Sequence, residues 1–171
     1  MDHFTGYLFV YLQRGTSALE TIQAKIAYEQ HASTYGVDIL GYHGDNGRFA
    51  ETDFKTDCLQ KKQRLTFCEV SAHHQNGIAE RSILTISNMA RALLLHTSMR
   101  LKDGIDSSLS PMAVDYAVYI YNRTPKENGL APIDLFAGKT YPRPKLKDSH
   151  VWGCPVYLLD PKLQNGQKLP R

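Results

Sequence analysis

The chain alternates short β-rich runs with stretches whose apolar residues recur at helical spacing, and this alternation constrains its fold most strongly. Runs at residues 6–13, 37–42 and 64–70 predict buried strands. Helical spacing predicts one helix capped by Thr16 or Ser17 and ended at Tyr35-Gly36, and further helices over residues 51–62, 78–96 and 110–122. Because strands that alternate with helices pair in parallel, this order predicts an α/β domain.

The same spacing predicts which side chains face the core. In the first three predicted helices these are Leu19, Ile22, Ile26 and Ala27, then Phe54, Cys58 and Leu59, then Ile83, Ile86, Ala90, Leu93 and Leu94. A different face of the long third helix carries Glu80, Leu84, Ser87 and Arg91.

Composition narrows the class of protein without naming a function. With 42% hydrophobic and 22% charged residues in 171, the chain is expected to fold into a globular domain with a real core. The net charge of +3 permits a polyanionic partner but does not argue for one. The sequence shows no signal peptide and no apolar run of membrane-spanning length.

The cysteines argue against both a disulfide framework and a zinc site. Cys58, Cys68 and Cys154 are odd in number, and no pair has the spacing of metal ligands. They are expected to be reduced, and Cys68 and Cys154, in apolar and turn contexts, to act as small hydrophobic residues. The neighbouring histidines His73 and His74 lack cysteine partners, so solvated or DNA-facing roles are favoured over zinc binding.

The composition of the sequence changes after residue 125. Prolines mark residues 126–147 as a connector with one short helical turn at residues 132–136. Residues 150–159 are β-rich and predict another strand. The chain is therefore expected to divide into a core at residues 1–125, this connector, and the start of a second domain at residues 148–171.

Two carboxylates lie at positions where an α/β domain could use them to bind a ligand. Asp45 follows the second predicted strand, and ligand groups gather at the carboxyl ends of such strands. Glu80 lies in the first turn of the long helix, whose partial positive charge favours the ionised form. Taken singly, an Asp-Asn-Gly turn or a first-turn glutamate is usually structural. Brought together, the two would suit Mg²⁺ or Mn²⁺.

The combination of motifs closely resembles the integrase of copia-type retrotransposons. His43-Gly44-Asp45-Asn46-Gly47 resembles its D-N-G turn, and after 34 residues between the carboxylates comes a match to its Q-N-G-[VI]-A-E-R segment at Gln75 to Arg81. Further matches follow the family order, at Asp2-His3-Phe4-Thr5-Gly6-Tyr7, Met89-Ala90-Arg91, Asn122-Arg123-Thr124-Pro125, Ala131-Pro132-Ile133-Asp134-Leu135-Phe136 and His150-Val151-Trp152-Gly153-Cys154.

The resemblance implies a fold and an activity. The fold would be ribonuclease H-like, and the residues from 148 would begin a small SH3-like barrel. Asp45 and Glu80 would be catalytic, holding two Mg²⁺ or Mn²⁺ ions together with a further aspartate, for joining element DNA 3′ ends to target DNA. The partners would be DNA and other copies of the chain, in the nucleus. The implied DNA-contacting residues are His74, Gln75, Asn76, Gly77, Arg81 and Arg91.

The sequence departs from the family pattern at its beginning. The family's first catalytic aspartate lies on a strand upstream of the segment that Met1 to Tyr7 matches. Asp2 aligns with the following strand, so it is not the expected third ligand. The chain is therefore expected to be truncated at its N-terminus and to lack a central strand of the sheet. Because the absence of that strand would leave backbone groups on its two neighbours unpaired, the chain is expected to be marginally stable and inactive by itself.

Two other functions remain open at the level of sequence. A non-catalytic, transposon-derived relic would bind nucleic acid without needing Asp45 or Glu80. A ribonuclease H-type nuclease would share the fold and ions but not the joining reaction. Arg81, Arg91 and Arg100 likewise have two interpretations, as phosphate contacts or as the solvated face of a helix.

Overall fold

A computed structural model describes residues 1–68, 77–101, 106–138 and 146–156 of the chain. The elements, in order, are α1 (Ala18–Ser33), β1 (Gly41–Gly44), α2 (Thr52–Gln60), β2 (Arg64–Phe67), α3 (Gly77–Ser98), α4 (Ser110–Arg123) and α5 (Pro132–Phe136). Short 3-10 turns occupy Arg48–Ala50, Ser107–Leu109 and Leu146–Asp148. The mixed α/β class predicted from the alternation is confirmed.

The two strands form a small parallel sheet. Gly41 pairs with Arg64 and Gly44 with Phe67, so the carboxyl ends of both strands lie at the same edge. Parallel pairing was predicted, and α2 forms the expected crossover. β1 is displaced from its predicted range, since it starts at Gly41 and continues to Gly44. Residues 69–70 of the third predicted run lie outside the described residues.

The strand predicted at residues 6–13 is not formed. A strand needs a neighbour that accepts and donates backbone hydrogen bonds, and β1 pairs only with β2 in the described part of the sheet. The side chain of Asn122 takes that place at Leu8. Its Oδ1 accepts from the Leu8 N–H at 2.9 Å, and its Nδ2 donates to the Leu8 carbonyl at 2.7 Å.

One core cluster joins α3 to α4. Its buried members are Leu8, Ile86, Ala90, Ala113, Ala117 and Val118, with Leu93, Leu94 and Trp152 packed at its margin. The alanines of α4 are fully buried, and small side chains let two helices approach closely. The predicted inward positions of Ile86, Ala90, Leu93 and Leu94 agree with this packing. Ile83 does not, because it is 67% exposed on a face that α4 does not cover.

A second cluster gathers around α5. Tyr7 stacks on Phe136 with ring centroids 4.2 Å apart, and Ala32, Ala131 and Ile133 are buried beside them. The short helical turn predicted at residues 132–136 is thereby confirmed, with Pro132 at its start. The cluster anchors the residues after α4 to α1, although the domain boundaries predicted at residues 125 and 147 remain predictions.

Helix α1 buries a polar face. Ser17 caps it as predicted, accepting from the Glu20 N–H, but the buried residues are Thr21, Lys25 and Ala32. The predicted apolar stripe is therefore only partly inward, since Ile22 and Ala27 are half-buried whereas Leu19 is 66% and Ile26 37% exposed. The reason is an ion network with α2 and with Gln63, the residue before β2, which draws another face of the helix inward.

That network is centred on Lys25, which is 4% exposed. Its ammonium donates to Glu29 at 2.6 Å, to Asp57 at 2.5 Å and to the Gln63 side chain at 2.7 Å. In α2, the predicted inward residues Phe54 and Cys58 are buried on the same side. Leu59, also predicted inward, is 78% exposed.

The thiols are free and are placed largely as small apolar side chains. Cys58 and Cys68 are buried and Cys154 is partly buried, and all three are unpaired. Among the described helices, none combines the length and the apolar character that crossing a bilayer requires.

Residues 150–156, the described part of the predicted strand at 150–159, form a turn instead of a strand. The turn packs on α3, where the Thr97 hydroxyl hydrogen bonds to the Trp152 carbonyl at 3.3 Å. Gly153 adopts a φ of +73° directly against the Thr97 side chain. The predicted start of an SH3-like barrel therefore stays a prediction.

Gly153→Ala should loosen this turn. A Cβ would overlap Thr97, and the left-handed backbone costs a non-glycine residue about 1–2 kcal/mol. Since the turn can detach from α3, the loss in unfolding free energy should stay near that value, with a red shift of Trp152 fluorescence. Gly129→Ala is the control, because its φ is +76° but no atom lies within 4 Å. Equal Trp152 spectra in the two variants would contradict the proposed contact.

Candidate functional site

Asp45 lies at the carboxyl edge of the parallel sheet, directly after β1. The last backbone bond of that edge runs from the Cys68 N–H to the Gly44 carbonyl at 3.0 Å. Asp45 is exposed, and its Oδ1 accepts from the Gly47 N–H at 3.0 Å. The turn predicted for Asp45-Asn46-Gly47 is therefore confirmed, with the carboxylate fixed at its base.

The strand end that carries Asp45 is held from two sides. Asn46 donates from its side chain to the Cys68 carbonyl at 2.9 Å, which joins the ends of β1 and β2. A Cβ at Gly44 would lie 2.9 Å from the Phe49 ring, which packs on the buried Phe54. A side chain at position 44 would therefore have to displace the Phe49 ring, which favours glycine there.

His43 supports the same edge, and sequence reasoning did not assign it a role. Its Nδ1 lies 2.9 Å from the Thr66 hydroxyl, and its Nε2 lies 3.3 Å from the Cys68 sulfur. Thr66 is the register partner of His43 in the sheet. The sequence signal for this role was that His43 lies two residues before Asp45. The role could not be predicted from it, because the register that pairs His43 with Thr66 was not known.

Glu80 occupies the first turn of α3 and is exposed, as predicted. Leu84, Ser87 and Arg91 are exposed on the same helix, which confirms that this face is turned away from the core. Nearby, the Ser82 hydroxyl donates to the Ile78 carbonyl at 2.9 Å and lies 3.1 Å from the Met1 sulfur. The beginning of α3 and the beginning of the chain are thus in contact.

The predicted DNA-contacting residues are divided between described and undescribed parts of the chain. His74, Gln75 and Asn76, like His73, lie outside the described residues, which resume at Gly77. Arg81 is exposed and donates to the Gly77 carbonyl at 3.1 Å. Arg91 is also exposed, on the same helix α3. The described residues on the two sides of this segment are Cys68, after β2, and Gly77, at the start of α3.

The carboxylates fit divalent ions by their chemistry but do not complete a site. Asp45 and Glu80 offer hard oxygen donors of the kind that Mg²⁺ and Mn²⁺ prefer. Within residues 1–68, 77–101, 106–138 and 146–156, no three His, Cys, Asp or Glu side chains gather closely enough to hold a metal. Asp2 is engaged in its own loop, accepting from the Thr5 N–H at 2.8 Å and hydroxyl at 2.5 Å.

No protein-family profile matches the chain. Several solved structures, by contrast, are similar to it. The HTLV-2 integrase catalytic core in complex with magnesium, in its trimeric form, superposes with a TM-score of 0.59 at 20% identity, covering 78% of this chain and 79% of that one. The catalytic core of BIV integrase gives a TM-score of 0.60 at 16% identity, over 80% and 81%.

A larger assembly shows the same likeness. The integrase in the intasome of simian T-cell lymphotropic virus, bound to the PP2A regulatory subunit B56 gamma, gives a TM-score of 0.66 at 15% identity. The match covers 94% of this chain and 50% of that one. These identities are low, so the likeness defines the fold. The chain has the ribonuclease H-like fold of an integrase catalytic core, which confirms the predicted fold class.

Proposed function

We propose that this chain is the catalytic core of a copia-type retrotransposon integrase, which joins the 3′ ends of element DNA to target DNA. The observation that carries the proposal is the position of Asp45, at the carboxyl end of a parallel strand in an integrase-core fold. In open α/β sheets this edge is where reacting ligands bind. The ordered motifs from Asp2 to Cys154 support the copia-type assignment.

In this proposal Asp45 and Glu80 hold divalent ions. When bound, two such ions activate the attacking oxygen and stabilise the charge that develops on the phosphate. The chain's own contribution is position: the Gly47 N–H orients the Asp45 carboxylate, and the Asn46 side chain joins the turn to the end of β2 through the Cys68 carbonyl. A complete site needs a third carboxylate, and Asp2 is disfavoured because Thr5 occupies it.

The rest of the proposed interface surrounds this edge. His74, Gln75, Asn76 and Gly77 would shape the loop over the DNA end, and Arg81 and Arg91 would contact phosphate. The HTLV-2 core is in complex with magnesium, which supports Mg²⁺ as the ion. Its dimeric and trimeric forms support self-association. The likeness to a chain of the simian virus intasome supports DNA as a partner. The reaction on chromosomal DNA would place the protein in the nucleus.

The second candidate is a nucleic-acid-binding relic without catalysis. It is favoured by one observation, that the described residues bring no three metal-binding side chains together. A relic would bind DNA through backbone phosphates, with affinity that falls steeply as salt rises. Neither Asp45 nor Glu80 would matter for that binding.

Titration with Mn²⁺ by calorimetry tests the choice. Asp45→Asn and Glu80→Gln should each weaken binding by at least about tenfold, since removing even a group that only supports a ligand costs that much. Asp53→Asn is the matched control, because Asp53 is an exposed acid in the first turn of α2. Equal Mn²⁺ affinity in all four proteins, with salt-dependent DNA binding unchanged, would favour the relic instead.

A further inference from the structure

A second surface uses none of the residues assigned to the metal site. It is an open groove of about 400 Å³ between α4 and residues 148–156. Aromatic side chains line it: Tyr116 and Tyr119 from α4, and Trp152 from the turn. We call these three residues the aromatic groove. None of them belongs to the elements that carry Asp45 or Glu80.

The rings of the aromatic groove form a continuous platform. Tyr116 and Tyr119 are stacked with centroids 5.8 Å apart and planes 14° apart, and Trp152 tilts against Tyr116 at 5.7 Å. All three side chains are partly exposed, although Trp152 also packs on the core between α3 and α4. A flat ligand could therefore stack on the parts of these rings that neither the neighbouring rings nor Arg123 cover, without displacing the protein interior.

Hydrogen bonds hold the platform in place. The Tyr116 hydroxyl donates to the His150 carbonyl, and the Tyr119 and Ser149 hydroxyls lie 3.2 Å apart. Thr97 fixes the Trp152 backbone from α3. Rings that are already ordered lose little conformational freedom when a ligand stacks on them, which favours binding.

Positive charge is concentrated in the C-terminal part of the sequence. Residues 139–171 carry seven lysines and arginines against two aspartates, whereas residues 1–138 carry thirteen against fifteen acidic residues. Within the groove's own helix, the Arg123 guanidinium lies 3.8 Å from the centre of the Tyr119 ring. Its Nε is buried without a hydrogen-bond partner among the described residues. The chain's net positive charge thus comes from residues 139–171, the part of the sequence that contributes Trp152 to the groove, although Asp148 also lines it.

We propose that the aromatic groove binds single-stranded DNA by stacking its unpaired bases on Tyr119, Tyr116 and Trp152. Ring faces accept any base, and Arg123 beside Tyr119 and the exposed Lys147 next to the lining residue Asp148 supply positive charge for phosphates. Aromatic faces combined with cations are found where proteins bind single strands without sequence preference. The inference extends the proposed DNA chemistry to a further contact, and it does not depend on the metal site.

Trp152 is the only tryptophan, so its fluorescence reports the groove directly. Titration of the full chain with oligothymidylate should quench this fluorescence to saturation. An abasic deoxyribose-phosphate oligomer of equal length and charge should leave it largely unchanged. Quenching of equal strength by the abasic oligomer or by blunt duplex DNA would overturn the proposal.

Substitutions separate stacking from a structural role. Tyr119→Leu should weaken oligothymidylate binding by about fivefold or more, whereas Tyr119→Phe should keep the affinity because it keeps the ring. Tyr11→Leu, at another exposed tyrosine, is the matched control. Tyr119→Leu should keep the Mn²⁺ affinity of the wild type, so a failure of the groove proposal is distinguishable from a failure of the metal site. Equal affinity of the Leu and Phe variants would refute stacking on Tyr119.

Discussion

Replacing Lys25 with methionine should lower the free energy of unfolding by about 3–5 kcal/mol, the usual cost of breaking a buried ion pair from one side. The Lys25 side chain is almost fully buried and donates to Glu29, Asp57 and Gln63 at 2.5–2.7 Å. Methionine has a similar length and is apolar, so it would fill much of the space. The expected loss is therefore electrostatic.

The two carboxylates explain the size of this effect. Burial by itself would raise the pKa of Glu29, but hydrogen bonds from Lys25, Lys61, Gln63 and Tyr42 lower it to about 2. Glu29 is thus ionised at neutral pH. Without Lys25, Glu29 and Asp57 would share only Lys61, which is 39% exposed and reaches them at 2.7 and 3.4 Å. Their mutual repulsion would then oppose folding.

Urea unfolding at neutral pH measures the loss. Lys147→Met is the matched control at an exposed lysine, where a change within about 0.5 kcal/mol is expected. Adding Glu29→Gln and Asp57→Asn to Lys25→Met should restore part of the stability, because the uncompensated charges disappear. A Lys25→Met protein as stable as the control would show that the network contributes little.

Asn122→Ala should cost about 2–4 kcal/mol, because it leaves two buried backbone groups of Leu8 without partners. Asn122 is 2% exposed and Leu8 is 8% exposed, so water has little access to either group. The contact also joins residues that are 114 positions apart in the chain. Its loss should therefore release the N-terminal segment from the core between α3 and α4.

Two measurements separate this role from an effect on the helix itself. Asn88→Ala makes the same substitution at an exposed position of α3 and should change stability by about 0.5 kcal/mol or less. Hydrogen exchange at the Leu8 amide should accelerate in Asn122→Ala beyond the change in global stability. Unaltered protection of that amide would mean that another group replaces Asn122.

The sequence predicted helices better than strands. Ser17 marked the start of α1, and periodic apolar residues marked α3, because these are local signals carried by the helix itself. Residues 6–13 had strand-like composition but formed no strand. A strand is defined by its neighbour, and here the neighbour at Leu8 is a side chain far away in the sequence.

Helix faces were predicted less well than helix positions. Leu19, Leu59 and Ile83 were expected inward and are exposed, whereas Lys25 was overlooked and is buried. An apolar pattern shows that a helix has a face but not which neighbours cover it. The ion network reverses the expectation for α1 because its charged partners come from α2 and from the residue before β2.

By itself, the sequence determined the α/β class, the helices and the turn that presents Asp45, since local periodicity and turn chemistry specify them. It also singled out Asp45 and Glu80. Only the tertiary structure decided that Asn46 joins that turn to Cys68, that His43 faces Thr66, and that Trp152 packs against Tyr116 of α4. These contacts join residues 22 or more positions apart, and their geometry depends on strand register and helix packing, which no local pattern encodes.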